Sequence, residues 1–216
     1  MRVVWHGAQS PRMSPMDQGV RDHLRAFYDG ETPERVGRPL TEERADRRDA
    51  FIHELTVRGA RSVLDVGCGP GRDGAALDAA GLAYTGVDLS PVAVRMCREQ
   101  GLTAREADAT SLPFADDSVD AVWSMSTLMH LPGDGFGRAL GEMKRVVRPG
   151  GLVEIGVWGD VYDNERPHPV DGRYFRRRTD DTLRAELECF GPVVDFDTWA
   201  WSDDGVHYQW ARVVTS

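Results

Sequence analysis

The pattern of apolar positions divides the chain near residue 62. Before that point, the segments 17–28 and 42–57 carry apolar residues at intervals of three and four, which predicts two amphipathic helices. A stretch rich in proline and glycine, 30–39, connects them. The segment 1–16 is largely polar and contains two prolines, so we expect it to be disordered.

After residue 62, short apolar runs alternate with helical segments. Strands are predicted at 62–66, 83–88, 103–108, 119–126, 152–158, 192–201 and 206–214, and helices at 72–80, 91–100, 134–147 and from about 179. This alternation predicts a parallel sheet with helices on both faces. Only Ser-Asp-Asp-Gly, 202–205, separates the last two strands, which predicts an antiparallel hairpin.

The expected fold class is therefore α/β, with a doubly wound, mostly parallel seven-stranded sheet and a C-terminal antiparallel hairpin. The two N-terminal helices have no strand of their own to join, so we expect segment 17–57 to cover the ligand edge of the sheet as lid helices. A chain of 216 residues can form one well-buried core. We expect a single domain, 17–216, with its sheet core at 62–216.

A glycine-rich turn directly follows the first predicted strand. Its sequence is Asp65-Val66-Gly67-Cys68-Gly69-Pro70-Gly71, and glycines there let the backbone turn sharply and let a ligand approach closely. A tight turn without a ligand is the alternative. The third glycine comes one residue earlier than in the dinucleotide fingerprint, and Arg72 occupies the glycine position of that fingerprint. A carboxylate at Asp65 suits a cationic group, such as an ammonium, better than a pyrophosphate.

Two further acids end the next two predicted strands. Asp88 can accept hydrogen bonds from both hydroxyls of a ribose, and Asp108, followed by the small Ala109, can contact an adenine amino group. Each acid alone is also consistent with an ordinary residue at a strand end. Because parallel strands direct their carboxyl ends to one edge of the sheet, one ligand with an ammonium, a ribose and an adenine would satisfy all three positions.

Four segments together resemble the successive motifs of class I, Rossmann-like S-adenosylmethionine-dependent methyltransferases. They are VLDVGCGPG at 63–71, VDLS at 87–90, EADATSLPFADDSVDAV at 106–122 and VVRPGG at 146–151. The resemblance implies S-adenosylmethionine as the cofactor and S-adenosylhomocysteine as the product. It also implies that the methionine end is held by Asp65, Gly67, Cys68, Gly69 and Gly71, with Ser124 and Met125 beside it, the ribose by Asp88 and Leu89, and the adenine by Asp108 and Ala109.

The candidate residues for the acceptor lie outside these motifs. His130, just after the fourth predicted strand, is the candidate general base if the acceptor must lose a proton, and a histidine that only shapes the pocket is the alternative. Tyr28, Trp158, Tyr162 and Arg173 are candidates for the acceptor pocket or the lid. The basic run 173–178 could contact an anionic acceptor or RNA, or it could be a solvated edge.

The net charge of the chain limits the classes of binding partner that we expect. The chain has 35 acidic and 26 basic residues and a net charge of −9, so it has no general attraction to nucleic acid or to anionic membranes. Its three cysteines lack metal-ligand spacing and suit reduced thiols, and no apolar run reaches about 18 residues. We expect a cytoplasmic protein with neither a metal site nor a membrane anchor; its oligomeric state is left open.

The sequence thus favours methyl transfer from S-adenosylmethionine to a small-molecule acceptor. The alternatives are a tRNA or peptide acceptor, a nucleotide-binding module without catalysis, and a nicotinamide-dependent oxidoreductase. Neither the acceptor nor the atom that is methylated follows from these residues.

Overall fold

The protein is described by a computed structural model over residues 15–200 and 205–215, with side chains from residue 18 onward. Of the segment predicted to be disordered, residues 1–14 lie outside the described part, and the first helix begins at Pro15. Most of the predicted loop between the last two strands, 202–204, also lies outside it.

The order of elements follows the predicted alternation. The described helices and strands are α1 Pro15–Arg35, α2 Glu42–Val57, β1 Ser62–Val66, α3 Gly74–Ala79, β2 Ala83–Asp88, α4 Pro91–Glu99, β3 Ala104–Glu106, β4 Val119–Met125, a short 3₁₀ helix Leu128–His130, α5 Gly135–Val146, β5 Val147–Gly159, β6 Asn164–Pro167, β7 Tyr174–Arg177, α6 Asp180–Glu188, β8 Val193–Ala200 and β9 His207–Val214.

The predicted fold class is confirmed. Seven strands form one sheet in the order β3-β2-β1-β4-β5-β9-β8. Strands β1 to β5 pair in parallel, whereas β9 is antiparallel to both β5 and β8, as the predicted C-terminal hairpin requires. The chain builds outward from β1 to β3 and then returns to β4 beside β1. This reversal creates a crevice at the carboxyl ends of β1 and β4, where open parallel sheets bind ligands.

The sequence analysis did not predict the hairpin formed by β6 and β7. The sequence between β5 and α6 shows no strand pattern, yet β6 and β7 pair there as a separate two-stranded antiparallel sheet. Both strands are only four residues long, and β6 is mostly exposed. Such short strands show no clear alternation, so their pairing depends on the tertiary contacts of β7, whose Phe175 is buried in the main core.

The first helix is longer than predicted. It continues past residue 28 through Gly30 and Pro33 and ends at Arg35. Glycine and proline disfavour the interior of a helix, so local preferences alone favour an earlier end. Tertiary contacts override them: Asp29 accepts a hydrogen bond of 2.6 Å from the hydroxyl of Ser90, at the start of α4.

The two N-terminal helices occupy different places. The α2 helix is part of the core, where Phe51 and Leu55 are fully buried and the Phe51 ring stacks on Trp123 of β4 with 5.3 Å between centroids. The α1 helix instead lies over the carboxyl edge of the sheet, where Arg25 pairs with Glu106 at the end of β3. The expectation of a lid therefore concerns α1, and α2 supports the sheet.

Among the described residues, no helix combines the length and the apolar character that a membrane-spanning segment requires.

The packing of α2 yields a stability prediction. We expect Phe51→Ala to lower the free energy of unfolding by about 3–5 kcal/mol, because it removes a buried ring and leaves a cavity against Trp123. Urea denaturation measures this change. Val57→Ala, at the exposed end of the same helix, is the control, with an expected change of about 0.5 kcal/mol or less. Equal losses in the two variants would contradict the core position of α2.

Candidate functional site

The turn after β1 is closed by contacts that exclude larger residues. Gly67 has a φ of +80°, and a Cβ added there would lie 1.9 Å from the hydroxyl of Thr127. The strand ends of β1 and β4 are therefore in direct contact at this point. Only glycine allows both this backbone conformation and this close approach.

The amide groups of this turn are already used within the protein. Gly67 and Cys68 both donate to the carbonyl oxygen of Val87, at 2.8 and 3.0 Å, and Gly71 donates to the carbonyl of Cys68. Gly69 donates to a carboxylate oxygen of Asp88 at 2.8 Å. Since Pro70 has no N–H, residues 67–71 offer no free amide to a ligand. A pyrophosphate, which binds through such free amides, has no receptor in these five residues.

Asp88 is positioned at the end of β2 by two backbone groups. One carboxylate oxygen accepts from Gly69, and the other accepts from the N–H of Ser90 at 2.9 Å. Burial raises the pKa of Asp88, while these two hydrogen bonds oppose the rise. Each oxygen keeps acceptor capacity for one further donor, so the carboxylate can bind a pair of hydroxyl groups.

Asp108 lies just beyond β3, where the chain leaves the sheet. One oxygen accepts from both the N–H and the hydroxyl of Thr110 at 2.8 Å, and the other pairs with Arg21 of α1 at 3.2 Å. The strand ends two residues before the predicted end, because Asp108 forms a turn with Ser111 and no longer pairs with β2. Its carboxylate therefore faces the crevice beneath α1.

These strand ends enclose a first cavity beneath α1, with a volume of about 160 Å³. Most of the predicted cofactor residues form its wall, together with the predicted Tyr28 and His130: they are Gly67, Cys68, Gly69, Asp88, Leu89, Asp108, Ala109 and Met125. The structure thus brings the ends of β1, β2, β3 and β4 together around one space, as the order of the strands predicts.

Three predicted cofactor residues lie outside this wall. Asp65 is buried and accepts a hydrogen bond of 3.0 Å from the Tyr84 hydroxyl; burial, together with the nearby Asp73, raises its pKa well above the usual range. Gly71 packs towards the side chains of α4 and its following loop. Ser124 donates to the carbonyl of Val66 at 2.9 Å within the sheet.

Ser126 occupies the place predicted for Ser124. It follows β4 directly, lines the cavity and has a φ of +59°, a left-handed conformation that is uncommon for a residue other than glycine. Its hydroxyl lies 3.0 Å from that of Tyr208. The N–H of Ser126 donates a hydrogen bond of 2.7 Å to the carbonyl oxygen of Gly156 in β5. Because this contact is made with a distant strand, no local sequence pattern predicts the backbone conformation of Ser126.

A second cavity of about 400 Å³ adjoins the first. Six residues line both cavities: Tyr28, Arg35, Arg44, Arg72, Ser126 and His130. The predicted Trp158 and Arg173 line the second cavity, with Phe175, Trp199 and Tyr208, which the sequence did not single out. Tyr162 lines neither cavity; its side chain is 77% exposed, so the structure does not bring it to the site predicted for it.

Arg44 is a further wall residue that the sequence pattern did not reveal. It lies in the first turn of α2, and its Nε donates to the buried carboxylate of Asp73 at 3.0 Å. The indole N–H of Trp123 donates to the same carboxylate oxygen at 3.1 Å. This buried contact fixes the start of α2 beside the glycine-rich turn.

His130 forms hydrogen bonds to both the helix α1 and the hairpin β6–β7. Its Nδ1 lies 2.8 Å from the carbonyl oxygen of Tyr174, which can only accept, so Nδ1 carries the proton. In the neutral ring Nε2 is then an acceptor, and the hydroxyl of Tyr28 donates to it at 2.8 Å. Arg173 donates in turn to the Tyr28 hydroxyl at 3.3 Å. Burial lowers the pKa of His130 to about 4, which keeps the ring neutral in this network.

No group of three or more histidine, cysteine, aspartate or glutamate side chains within residues 18–200 and 205–215 is arranged to hold a metal ion.

Residues 64–155 match the methyltransferase domain family. The methyltransferase GfsG of Streptomyces halstedii is 36% identical over 137 residues, which cover 58% of this chain and 49% of that protein. The chain spans about half the length of the curated relatives that it matches.

Two solved structures share the fold across most of the chain. The Burkholderia thailandensis 1,6-didemethyltoxoflavin-N1-methyltransferase, crystallised with 1,6-didemethyltoxoflavin and S-adenosylhomocysteine, superposes with a TM-score of 0.73 at 22% identity, covering 97% of this chain and 93% of that one. The cyclase SpnF superposes with a TM-score of 0.70 at 22% identity, covering 89% and 94%. Since SpnF is a cyclase, this fold alone does not define a reaction.

The buried neutral histidine yields a pH prediction. In the unfolded chain the pKa of a histidine is about 6.5, so between about pH 6.5 and 4 the unfolded chain takes up a proton that folded His130 does not. This contribution to stability is fully present above pH 6.5 and is lost as the pH falls to 4, by about 3 kcal/mol. His130→Gln is expected to remove that part of the pH dependence in urea denaturation.

The same change at the exposed His53 controls for the loss of one imidazole. If wild type and His130→Gln lose stability equally between pH 6.5 and 4, the buried neutral state of His130 is wrong.

Proposed function

We propose that the chain transfers a methyl group from S-adenosylmethionine to a small-molecule acceptor and releases S-adenosylhomocysteine; the match of residues 64–155 to the methyltransferase domain family supports this proposal. The observation that carries this proposal is the first cavity. Its wall combines the glycine-rich turn with the acidic ends of β2 and β3, which is the set of groups that the family motifs imply.

The donors and acceptors of the first cavity fit this cofactor better than a dinucleotide. Asp88 presents a buried carboxylate with capacity for two ribose hydroxyls, and Asp108 with the small Ala109 leaves space for an adenine. The amides of residues 67–71 are all paired within the chain, which disfavours a pyrophosphate and hence a nicotinamide dinucleotide. Arg35 and Arg44, which pair with Glu31 and Asp73 and line both cavities, can also contact the carboxylate of the methionine end.

The chain's own task is to position the acceptor and to exclude water. S-adenosylmethionine, when bound, supplies a methyl group that is already activated on a sulfonium. Holding the two reactants in line can lower the barrier by roughly 7–11 kcal/mol, so the enclosed junction of the two cavities is the feature that catalysis requires.

Tyr28 and His130 act at this junction as a pair. A base with a pKa of about 4 accepts a proton weakly at neutral pH, and Nε2 of His130 already accepts from Tyr28. We therefore assign His130 to the positioning of the Tyr28 hydroxyl, and the predicted role of His130 as a general base stays a hypothesis. Tyr28 faces both cavities and is the group that can contact the acceptor near the cofactor.

The acceptor distinguishes this proposal from its alternatives. The second cavity is lined mainly by aromatic and basic side chains and has the size of a small-molecule pocket, roughly 300–1,000 Å³. With α1 in its closed position the junction of the two cavities is covered, which favours an acceptor small enough to be enclosed over a tRNA or a peptide. Calorimetry with S-adenosylhomocysteine and with NAD separates methyl transfer from the nicotinamide-dependent alternative, and transfer of label from methyl-labelled S-adenosylmethionine separates catalysis from binding alone.

Cofactor affinity tests the assignment of Asp88. We expect Asp88→Asn to weaken S-adenosylhomocysteine binding by about tenfold or more, because a hydrogen bond to a charged acceptor contributes about 1.5–3 kcal/mol. Isothermal titration calorimetry measures the affinity, and circular dichroism checks that the variant is folded. Asp78→Asn, at an exposed position on α3, is the matched control with unchanged affinity. Unchanged affinity in a folded Asp88→Asn variant would remove Asp88 from the site.

The α1 helix is proposed to open and close over the first cavity. Its contacts to the rest of the protein there are polar: Arg21 with Asp108, Asp29 with Ser90, and Tyr28 with His130. The volume of about 160 Å³ beneath it is smaller than a typical ligand pocket, so a cofactor requires α1 to move outward before binding. The Arg21–Asp108 pair is partly exposed and can exchange for water at little cost, whereas the hydrogen bonds of Asp29 and Tyr28 to buried partners must break for α1 to move.

Hydrogen exchange tests this movement. With S-adenosylhomocysteine bound, the amides of residues 20–35 are expected to gain protection, because the ligand contacts both α1 and the sheet and favours the closed position. The amides of residues 50–57, in the second half of α2, serve as the internal control and are expected to stay unchanged, because that part of the helix packs in the core away from both cavities. Equal protection of residues 20–35 with and without the ligand would show that α1 is a fixed plug.

A further inference from the structure

Two pairs of stacked aromatic rings stand in the wall of the second cavity. The rings of Trp158 and Phe175 are 5.5 Å apart with 16° between their planes, and those of Trp199 and Tyr208 are 4.9 Å apart with 26° between theirs. One pair comes from β5 and β7, the other from β8 and β9. Such ring faces favour a flat, unsaturated ligand over a branched aliphatic one.

The same cavity is strongly cationic. Its wall contains five arginines and a single carboxylate, that of Glu31. Glu31 is shared, since both Arg35 and Arg38 pair with it, at 3.4 and 3.0 Å. When the pairing partners are included, six guanidinium groups face five carboxylates: Arg35, Arg38, Arg44, Arg48, Arg72 and Arg173 against Glu31, Glu34, Asp49, Asp73 and Asp171.

Arg72 is the guanidinium of this wall that forms no ion pair to a described residue. In the described part of the chain it has neither an ion pair nor a hydrogen-bond partner, although it is partly buried. Burial and the nearby Arg44, Arg35 and Arg38 lower the pKa of Arg72, and the carboxylate of Asp73 only partly opposes them. Like charges gathered in a partly closed space repel one another, and an anion between them removes that repulsion.

The cofactor would increase this excess of positive charge. S-adenosylmethionine carries an ammonium, a sulfonium and one carboxylate, so it adds one net positive charge at the junction of the two cavities. Its carboxylate can neutralise only one of the three arginines that line both spaces. Arg38 lines the second cavity but not the first.

We propose that the second cavity binds a planar, anionic acceptor, with its ring against Trp158 and the other aromatic side chains and its carboxylate or phosphate on Arg38 and Arg72. The inference rests on the methyl-transfer function proposed above and names its substrate class. The cavity volume of about 400 Å³ suits a molecule of one to three fused rings. The nucleophilic atom then lies on the side of the ring that faces Tyr28, at the junction with the first cavity.

A pair of isosteric probes separates charge from shape. The protein is first saturated with S-adenosylhomocysteine and then titrated by calorimetry with 2-naphthoate and with its neutral counterpart 2-naphthamide. We expect 2-naphthoate to bind about tenfold more tightly, which corresponds to one charge-assisted contact, and we expect this preference to shrink as salt is added.

Two variants assign the preference to the named residues. Arg38→Gln is expected to weaken 2-naphthoate binding by about tenfold and to leave 2-naphthamide binding unchanged, because only the anion uses the guanidinium. Trp158→Leu is expected to weaken both probes equally, because both use the ring face. Arg95→Gln removes one exposed arginine from α4 and controls for the change in net charge. Binding of S-adenosylhomocysteine by each variant, measured in the same calorimeter, shows that the variant is folded.

The outcomes distinguish this inference from the proposed function. If S-adenosylhomocysteine does not bind, the methyl-transfer function fails and the acceptor inference fails with it. If S-adenosylhomocysteine binds but the two probes bind equally, or if Arg38→Gln leaves the preference intact, then only the anionic acceptor is overturned. A preference for 2-naphthoate that Arg38→Gln removes and Arg95→Gln retains establishes the class of acceptor.

Discussion

The close contact between the ends of β1 and β4 is the constraint on which the site depends. Gly67 leaves no room for a Cβ beside Thr127, and the same turn uses its amides on Val87 and on the carboxylate of Asp88. Three neighbouring strand ends are thereby joined, through backbone amides of the turn and the side chains of Thr127 and Asp88. The same hydrogen bonds that build the cavity position the Asp88 carboxylate and leave residues 67–71 without a free amide.

A second set of contacts joins parts of the chain that are far apart in sequence. Tyr28 from α1 donates to His130, which donates to the backbone of Tyr174 in β7. The ring of His130 is buried and neutral, so it orients the Tyr28 hydroxyl, and its two contacts make the position of α1 depend on the hairpin β6–β7. Both elements adjoin the second cavity, so a movement of the helix would change the access to that cavity.

The distribution of charge differs between the whole chain and the site. The net charge of −9 disfavours polyanionic partners at long range, whereas the second cavity concentrates arginines around Arg72. Screening by salt limits the long-range effect to about 10 Å, so a partly closed cavity keeps its own local potential. The cavity can therefore attract a small anion even though the net charge of the chain is negative.

The sequence by itself determined the alternation of strands and helices along the chain, the C-terminal hairpin and the acids at two strand ends, Asp88 and Asp108, because periodicity and turn residues are local signals. It could not show that Ser126, and not Ser124, would line the cavity. That position depends on the left-handed backbone conformation of Ser126, which a hydrogen bond to β5 stabilises. The length of α1, the hairpin β6–β7 and the second cavity were likewise decided by tertiary structure. Each arises from contacts between residues distant in the chain, such as Tyr28 and His130, and no local pattern records which distant surfaces will meet.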